Sequence, residues 1–160
     1  MTFESNILPW ERLGSLKNTL NKTGFIRAIE AHSGLSGLIV ESSGFDAIWE
    51  SSLTDSASKG LPDASIVGNE GRLHTINEIL NVTTKPMIVD GDTGGDSDNF
   101  RFLVKRLERL GVSAVIIEDK VFPKRNSFGG TDASSMEDPE LFSKKIVAGR
   151  NARATDDFLI

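Results

Sequence analysis

The 160-residue sequence contains no cysteine, which excludes disulfides, thiolate metal sites and any reaction that needs a thiol. Long hydrophobic runs are also missing, since no apolar stretch approaches the roughly 20 residues of a membrane span. The N-terminus lacks a basic region followed by an apolar one, which is the pattern of a secretory signal. We therefore expect a cytoplasmic protein with no membrane partner.

Positive charge is in the minority, with 18 Lys and Arg residues against 23 Asp and Glu residues and a net charge of -5. The basic residues are interspersed with acidic ones, so they form no stripe that could follow a nucleic-acid backbone. We expect no nucleic-acid partner. The hydrophobic fraction of 38% is ordinary for a globular domain.

Short apolar runs alternate with helical patterns along the chain. The runs short enough for strands cover residues 25–31, 45–49, 86–90 and 114–117, and a fifth begins at Asp157. Helical patterns lie within 1–22, after Ser33, in the second half of 65–80, at 100–110 and after Asp138. The alternation predicts an α/β fold of parallel βαβ units. We expect a covering segment over residues 1–22 and the α/β part over residues 23–160.

Acidic side chains follow two neighbouring predicted strands. Asp90 and Asp92 come at the end of the third strand, and Glu118 follows the fourth. The carboxyl ends of parallel strands are where α/β folds place their chemistry, and hard carboxylate oxygens suit Mg2+. The pattern favours a magnesium site, although ordinary solvated acids at strand ends would read the same way.

Three motifs in order carry a resemblance to a known family. Residues 118–127, EDKVFPKRNS, match the pattern EDK, five residues, NS; residues 90–94, DGDTG, resemble DADTG; and residues 49–53, WESSL, resemble WGSGL or WASGL. These motifs belong to the phosphoenolpyruvate mutase group of the isocitrate lyase superfamily. The chain is identified as a member of that group over roughly residues 24–160.

The resemblance implies a (β/α)8 barrel, which typically needs about 250 residues. The predicted elements supply the first four βα units and the start of strand five, so the sequence looks truncated. A basic residue after strand five and a later His, which in the family contact the reacting group, would lie beyond Ile160. Open strand edges favour pairing, and we expect a homo-oligomer.

The resemblance also implies a substrate-binding set and a metal set. In the family, Asp90, Asp92 and Glu118 would hold Mg2+ against the pyruvate portion of the substrate. The substrate-binding positions would be Trp49, Ser51, Ser52, Leu53 and Lys120. Ser51 to Leu53 follow strand two in a predicted turn and could instead cap a helix, and Trp49 could be a core residue. Ser52 replaces the family's Gly, so a side chain stands where the backbone approaches a ligand.

The catalytic positions implied by the resemblance are Asp63, Lys124, Asn126 and Ser127. Asp63 would lie near the transferring group, although its surroundings also fit a plain turn. Lys124, like Lys120, would offset phosphoryl charge, while Asn126 and Ser127 would donate hydrogen bonds. A mobile polar loop has the same composition.

The family contains three reactions that this loop separates. The lyase branch uses a Cys in a K-[KR]-C-G-H loop, whereas residues 124–127 read KRNS without a thiol. The phosphonopyruvate hydrolase lacks the Asn-Ser pair. We therefore expect a Mg2+-dependent mutase that interconverts phosphoenolpyruvate and phosphonopyruvate. A phosphonopyruvate hydrolase and a non-catalytic half-barrel that assembles with itself or a partner are the alternatives.

Overall fold

A four-stranded parallel sheet forms the centre of the protein, whose computed structural model describes residues 7–127 and 135–160. The strands lie in the order β1-β2-β3-β4, with all three pairings parallel. They are β1 (Ala28–Glu30), β2 (Ala47–Glu50), β3 (Met87–Asp90) and β4 (Ala114–Ile116). Each strand overlaps a predicted apolar run, so the parallel α/β prediction is confirmed.

Six helices lie in the described part of the chain. They are α1 (Pro9–Thr23), α2 (Gly34–Glu41), α3 (Ser52–Ser58), α4 (Gly68–Val82), α5 (Ser97–Leu110) and α6 (Pro139–Ala152). The predicted N-caps are confirmed, because Ser33 accepts from the Ser36 amide and Asp138 accepts from two amides of the first turn of α6. Gly111 ends α5 with φ of +85°, a conformation that favours glycine.

The prediction of a turn at residues 51–53 is wrong, because Ser52 and Leu53 begin α3 and Ser51 holds its N-cap position. The seven-residue helix is too short to show a helical period in a sequence dominated by Ser and small residues. The alternative of a helix N-cap is closer to the structure, although the Ser51 side chain makes no capping hydrogen bond.

The two faces of the sheet bury different residues. The larger core cluster combines Ile48, Met87, Val89 and Val115 of the strands with helical residues that include Ile76, Ile79, Phe100, Val104 and Leu107. Successive strand residues point to opposite faces. Ala47 and Ala114 accordingly join a second, small cluster with Leu16 of α1. Trp49 and Asp90 lie on this second face, which we call the site face.

The last residues of the chain lie beside β4, where the predicted fifth strand begins. Leu159 pairs in parallel with Ala114, and the Val115 amide donates to the Leu159 carbonyl at 3.0 Å. Phe158 is fully buried. At the opposite edge of the sheet, β1 pairs with β2 on one side and with no strand among the described residues on its outer side. Ile29 and Phe25 are 37% and 59% exposed.

Helix α1 is anchored to the barrel part by a buried guanidinium. Arg12 donates to the carbonyl oxygens of Leu80 (3.0 Å) and Thr83 (2.5 Å) at the end of α4, and Ser113 donates to the Arg12 carbonyl at 3.0 Å. The division into a covering segment and a barrel part at residue 22 stays a prediction, and residues 1–6 of that segment lie outside the described residues. No helix in the described ranges combines the length and apolar character needed to cross a membrane.

We predict that Arg12→Met lowers the free energy of unfolding by about 2–3 kcal/mol, because buried carbonyls at the end of α4 lose a charged donor. Lys17→Met is the matched control on the same helix: its ion pair with Asp157 spans 3.6 Å and is 38% and 50% exposed, so its loss should cost below about 0.5 kcal/mol. Urea denaturation measures both. Equal losses would show that Arg12 does not anchor α1.

Candidate active site

Two backbone hydrogen bonds bring the strand-end acids together. Asp92 lies two residues beyond the last residue of β3, and its amide donates to the Asp90 carboxylate at 3.0 Å. The Glu118 amide, just beyond β4, donates to the Asp92 carbonyl at 2.8 Å. Asp92 has φ of +52°, a left-handed conformation that is strained for a residue with a Cβ and that clusters at functional sites.

The Lys124 ammonium group lies at the centre of four carboxylates. Its Nζ is 2.9 Å from Asp92, 3.2 Å from Asp63, 3.6 Å from Glu118 and 3.9 Å from Asp90. We call these four residues the acid cluster. Burial opposes the charge on Lys124, which is 8% exposed, but the surrounding carboxylates hold its pKa above its ordinary value.

Ser52 connects α3 to this cluster. Its hydroxyl donates to the Asp90 carboxylate at 2.6 Å and accepts from Lys124 at 2.7 Å, and its amide donates to the same Asp90 oxygen at 3.2 Å. Burial raises the pKa of Asp90, yet the Ser52 hydrogen bond and the charge of Lys124 together hold it below its ordinary value. The Ser that replaces the family's Gly thus orients an acid of the predicted metal site.

Asn126 connects the loop after β4 to the acid cluster. Its side-chain amide donates to the Asp63 carboxylate at 3.0 Å, and Asp63 is 5% exposed. Within the same loop, Lys120 donates to Ser127 at 2.7 Å and lies 3.5 Å from Glu118. The structure therefore brings Asp63, Lys124 and Asn126 into one network, with Lys120 at its rim.

Four of the predicted substrate or catalytic residues make no described hydrogen bond with the acid cluster. Trp49 is half-buried on the site face, Leu53 is 45% exposed, Ser51 lies at the N-cap of α3, and Ser127 bonds to Lys120. Their predicted roles stay predictions.

Arg72 is a site residue that the sequence analysis missed. It lies on α4, with one guanidinium nitrogen 3.6 Å from Asp92 and another donating to Glu50 at 2.5 Å. A signal was available, because Arg72 precedes Leu73 on the apolar face of α4, where a charged side chain needs a buried partner. Ser65, which accepts from the Lys124 amide at 3.2 Å, carried no comparable signal.

The residues of the acid cluster fit a divalent cation in charge and in donor type. Within residues 7–127 and 135–160, no three His, Asp or Glu side chains are arranged to hold a metal ion by themselves, since Lys124 lies where their oxygens converge. Lys124 offsets part of the negative charge of the cluster, while Arg72 is shared between Asp92 and the buried Glu50 outside the cluster. One Glu118 oxygen is buried without a hydrogen-bond partner in this part of the chain. Carboxylates of this kind suit Mg2+, which would compete with Lys124.

We predict that Lys124→Met lowers the free energy of unfolding at pH 7 by about 2–3 kcal/mol, because clustered acids lose their ammonium partner. Lys124 helps to lower the pKa of Asp90, so it adds stability above the ordinary Asp pKa that is lost as the pH falls. The difference from the unmodified chain should therefore shrink below about pH 4.

The same variant should gain more thermal stability from Mg2+ than the unmodified chain, since the competing cation is gone. Lys144→Met is the control, because its pair with Glu140 is 63% and 78% exposed and should contribute below about 0.5 kcal/mol. If Lys124→Met is as stable as the unmodified chain and responds equally to Mg2+, Lys124 does not hold the four carboxylates together.

Comparison with known proteins places the chain and its fold in one family. The family described as phosphoenolpyruvate phosphomutase matches residues 16–160. A phosphoenolpyruvate phosphomutase from Tetrahymena pyriformis is 37% identical over 91% of this chain and 49% of its own. A phosphonopyruvate hydrolase from Variovorax sp. (strain Pal2) is 35% identical over 91% and 51%, and a 2-methylisocitrate lyase from Aeropyrum pernix is 33% identical over 91% and 47%.

Solved structures agree with the sequence relatives. A phosphoenolpyruvate phosphomutase from Streptomyces platensis subsp. rosaceus superposes with a TM-score of 0.86 at 36% identity, covering 91% of this chain and 51% of that one. A phosphonopyruvate hydrolase in complex with oxalate and Mg2+ gives 0.83 at 33% identity, covering 92% and 50%. The chain thus spans about half the length of these relatives, and its sheet is a partial (β/α)8 barrel as predicted. The chain belongs to the phosphoenolpyruvate phosphomutase family of the isocitrate lyase superfamily.

Proposed function

We propose that the chain carries part of the active site of a Mg2+-dependent phosphoenolpyruvate mutase, which forms the carbon–phosphorus bond of phosphonopyruvate. This part comprises the metal-binding acids and the loop after β4 that covers them. The observation that carries this proposal is the contact of Asn126 and Lys124 with the acid cluster. Both residues come from the loop whose Asn-Ser pair separates the mutase from the hydrolase in the family. The relatives alone leave the reaction open, because mutase, hydrolase and lyase are similarly identical to the chain.

In the proposed reaction, the phosphorus–oxygen bond of phosphoenolpyruvate breaks and a bond from phosphorus to carbon three forms within the same molecule. Asp90, Asp92 and Glu118 would hold Mg2+, which when bound stabilises enolate charge on the pyruvate portion. Lys124 offsets phosphoryl charge, and Asn126, oriented by Asp63, donates a hydrogen bond to the moving group. A loop that covers the site excludes water, which would otherwise take the phosphoryl group.

Substrate carboxylate binding falls to the start of α3 in this proposal. The Ser51 hydroxyl and the backbone amides of Ser52 and Leu53 are the donors that the family resemblance implies. The Ser52 amide and hydroxyl are already engaged with Asp90, so Ser52 acts on the substrate through the position of that acid. Trp49 on the site face completes the pocket wall.

We predict that the chain converts phosphonopyruvate to phosphoenolpyruvate only with Mg2+, as followed by phosphorus NMR. Asn126→Ala should slow this conversion on the order of 100-fold, since it removes a donor to developing charge. Arg125→Ala, an exposed neighbour in the same loop, is the control and should stay within about twofold. Inorganic phosphate and pyruvate as products would favour the hydrolase, and cleavage of a methylisocitrate-type acid would overturn both.

A melting series with and without Mg2+ tests the metal assignment separately from turnover. Asp90→Ala or Glu118→Ala should abolish the Mg2+-dependent stabilisation, because one of few carboxylates is lost. Asn126→Ala should keep it, because the side chain of Asn126 donates to Asp63, which is not one of the proposed ligands. The assignment fails if the unmodified chain gives no Mg2+ response, or if Asn126→Ala removes it as fully as Asp90→Ala.

We also propose that the chain assembles with a second copy. Two separate surfaces are open to self-association: the outer edge of β1, with exposed Ile29 in the strand and Phe25 near it in the chain, and the site face, where Ile116 of β4 is 54% exposed. Light scattering should then give a mass of at least two chains, and a compact monomer would contradict the proposal. An assembled chain that responds to Mg2+ but converts no phosphonopyruvate would favour the non-catalytic half-barrel.

A further inference from the structure

A buried ion pair lies behind the acid cluster on the helix-facing side of the sheet. Glu50, the last residue of β2, is fully buried, and the Arg72 side chain is 9% exposed. Arg72 donates to Glu50 at 2.5 Å and lies 3.6 Å from Asp92 through its other terminal nitrogen. The guanidinium thus bridges the end of β2 to the residue that carries the strained backbone after β3.

Removing this pair from water is costly, so its retention calls for a physical reason. Burial raises the pKa of Glu50 to about 7, against the lowering effect of Arg72. One Glu50 oxygen and the Nε of Arg72 have no hydrogen-bond partner in the described ranges, and each unmet group carries a desolvation cost. Buried pairs are often no more stable than apolar residues of similar volume. Stability alone does not account for this pair.

The sequence context points the same way. In the motif that residues 49–53 resemble, Gly or Ala stands at the position of Glu50. The Glu50 carboxylate accepts a hydrogen bond from Arg72, and Arg72 in turn lies against Asp92. The planar guanidinium can face two carboxylates at fixed angles, which a lysine ammonium cannot do.

We propose that Arg72 is a positioning residue, fixed by Glu50 on one side and holding the Asp92 carboxylate in place for a divalent cation on the other. This inference rests on the proposed Mg2+ site. In this inference the Glu50–Arg72 pair raises the affinity for the metal ion because it orients the Asp92 carboxylate. Mutation of a residue that hydrogen-bonds to a metal ligand typically lowers the metal affinity by about 10–100-fold.

The test removes the pair as a whole. Glu50→Ala combined with Arg72→Met deletes one negative and one positive charge, so the net local charge stays the same near pH 8, where Glu50 is ionised. The Mg2+ midpoint, which is the Mg2+ concentration that gives half of the thermal stabilisation, should rise about tenfold or more in the double variant. The single variant Arg72→Met should be less stable than the double variant, because it leaves the Glu50 carboxyl buried without its hydrogen-bond partner.

The matched control is a buried acid of the same region that does not touch the acid cluster. Asp55 is fully buried and hydrogen-bonds to Lys59 and to Thr75 (2.8 Å). Asp55→Asn should lower the melting temperature while leaving the Mg2+ midpoint within about twofold. Arg72→Lys should restore only part of the affinity, since it keeps the charge but not the bridging fork.

The outcomes separate this inference from the proposed function. A double variant that keeps the unmodified midpoint, while the unmodified chain responds to Mg2+, overturns the role of Arg72 and leaves the metal site standing. No Mg2+ response in the unmodified chain overturns both. A raised midpoint in the double variant and an unchanged one in Asp55→Asn supports the inference.

Discussion

The convergence of four carboxylates on one buried ammonium group is the constraint on which the rest of the site depends. Asp63, Asp90, Asp92 and Glu118 come from three separate loops, and their mutual repulsion has to be offset inside a partly desolvated space. Lys124 supplies one cation and Arg72 another. Arg72 is shared with Glu50, so the cluster keeps an excess of negative charge, and the contacts of Lys124 with the acids hold the loop that carries it against the strand ends.

The departures of this chain from its family motif are absorbed at the same place. Ser52 adds a hydroxyl to a position that is Gly in the family, and the hydroxyl bonds to Asp90. Glu50 adds a buried acid, and Arg72 pairs with it while reaching Asp92. Both side chains thus connect the segment at the end of β2 to Asp90, the last residue of β3, and to Asp92 beyond it.

The partial barrel holds these residues in register because its helix-facing core is well packed. Phe100 of α5 and Ile76 of α4 are fully buried against Met87 and Val115 of the strands. Gly149 permits α6 to approach Phe100, since a Cβ there would lie 2.3 Å from the ring. In the described part of the chain the site face has less cover, as the exposure of Ile116 shows, and this contrast distinguishes the packed side of the sheet from its open side.

Local patterns in the sequence determined the strands, most helices and the acids at the strand ends, because period, caps and motif spacing depend on residues close along the chain. The start of α3 and the role of Arg72 needed tertiary structure. A seven-residue helix has too few residues to show a period. Arg72 meets Glu50 across 22 residues and Asp92 across 20, and only packing α4 against the sheet brings them together. The sequence by itself specified the strand-end acids and Lys124, whereas the fold decided how they are paired and brought Arg72 to them.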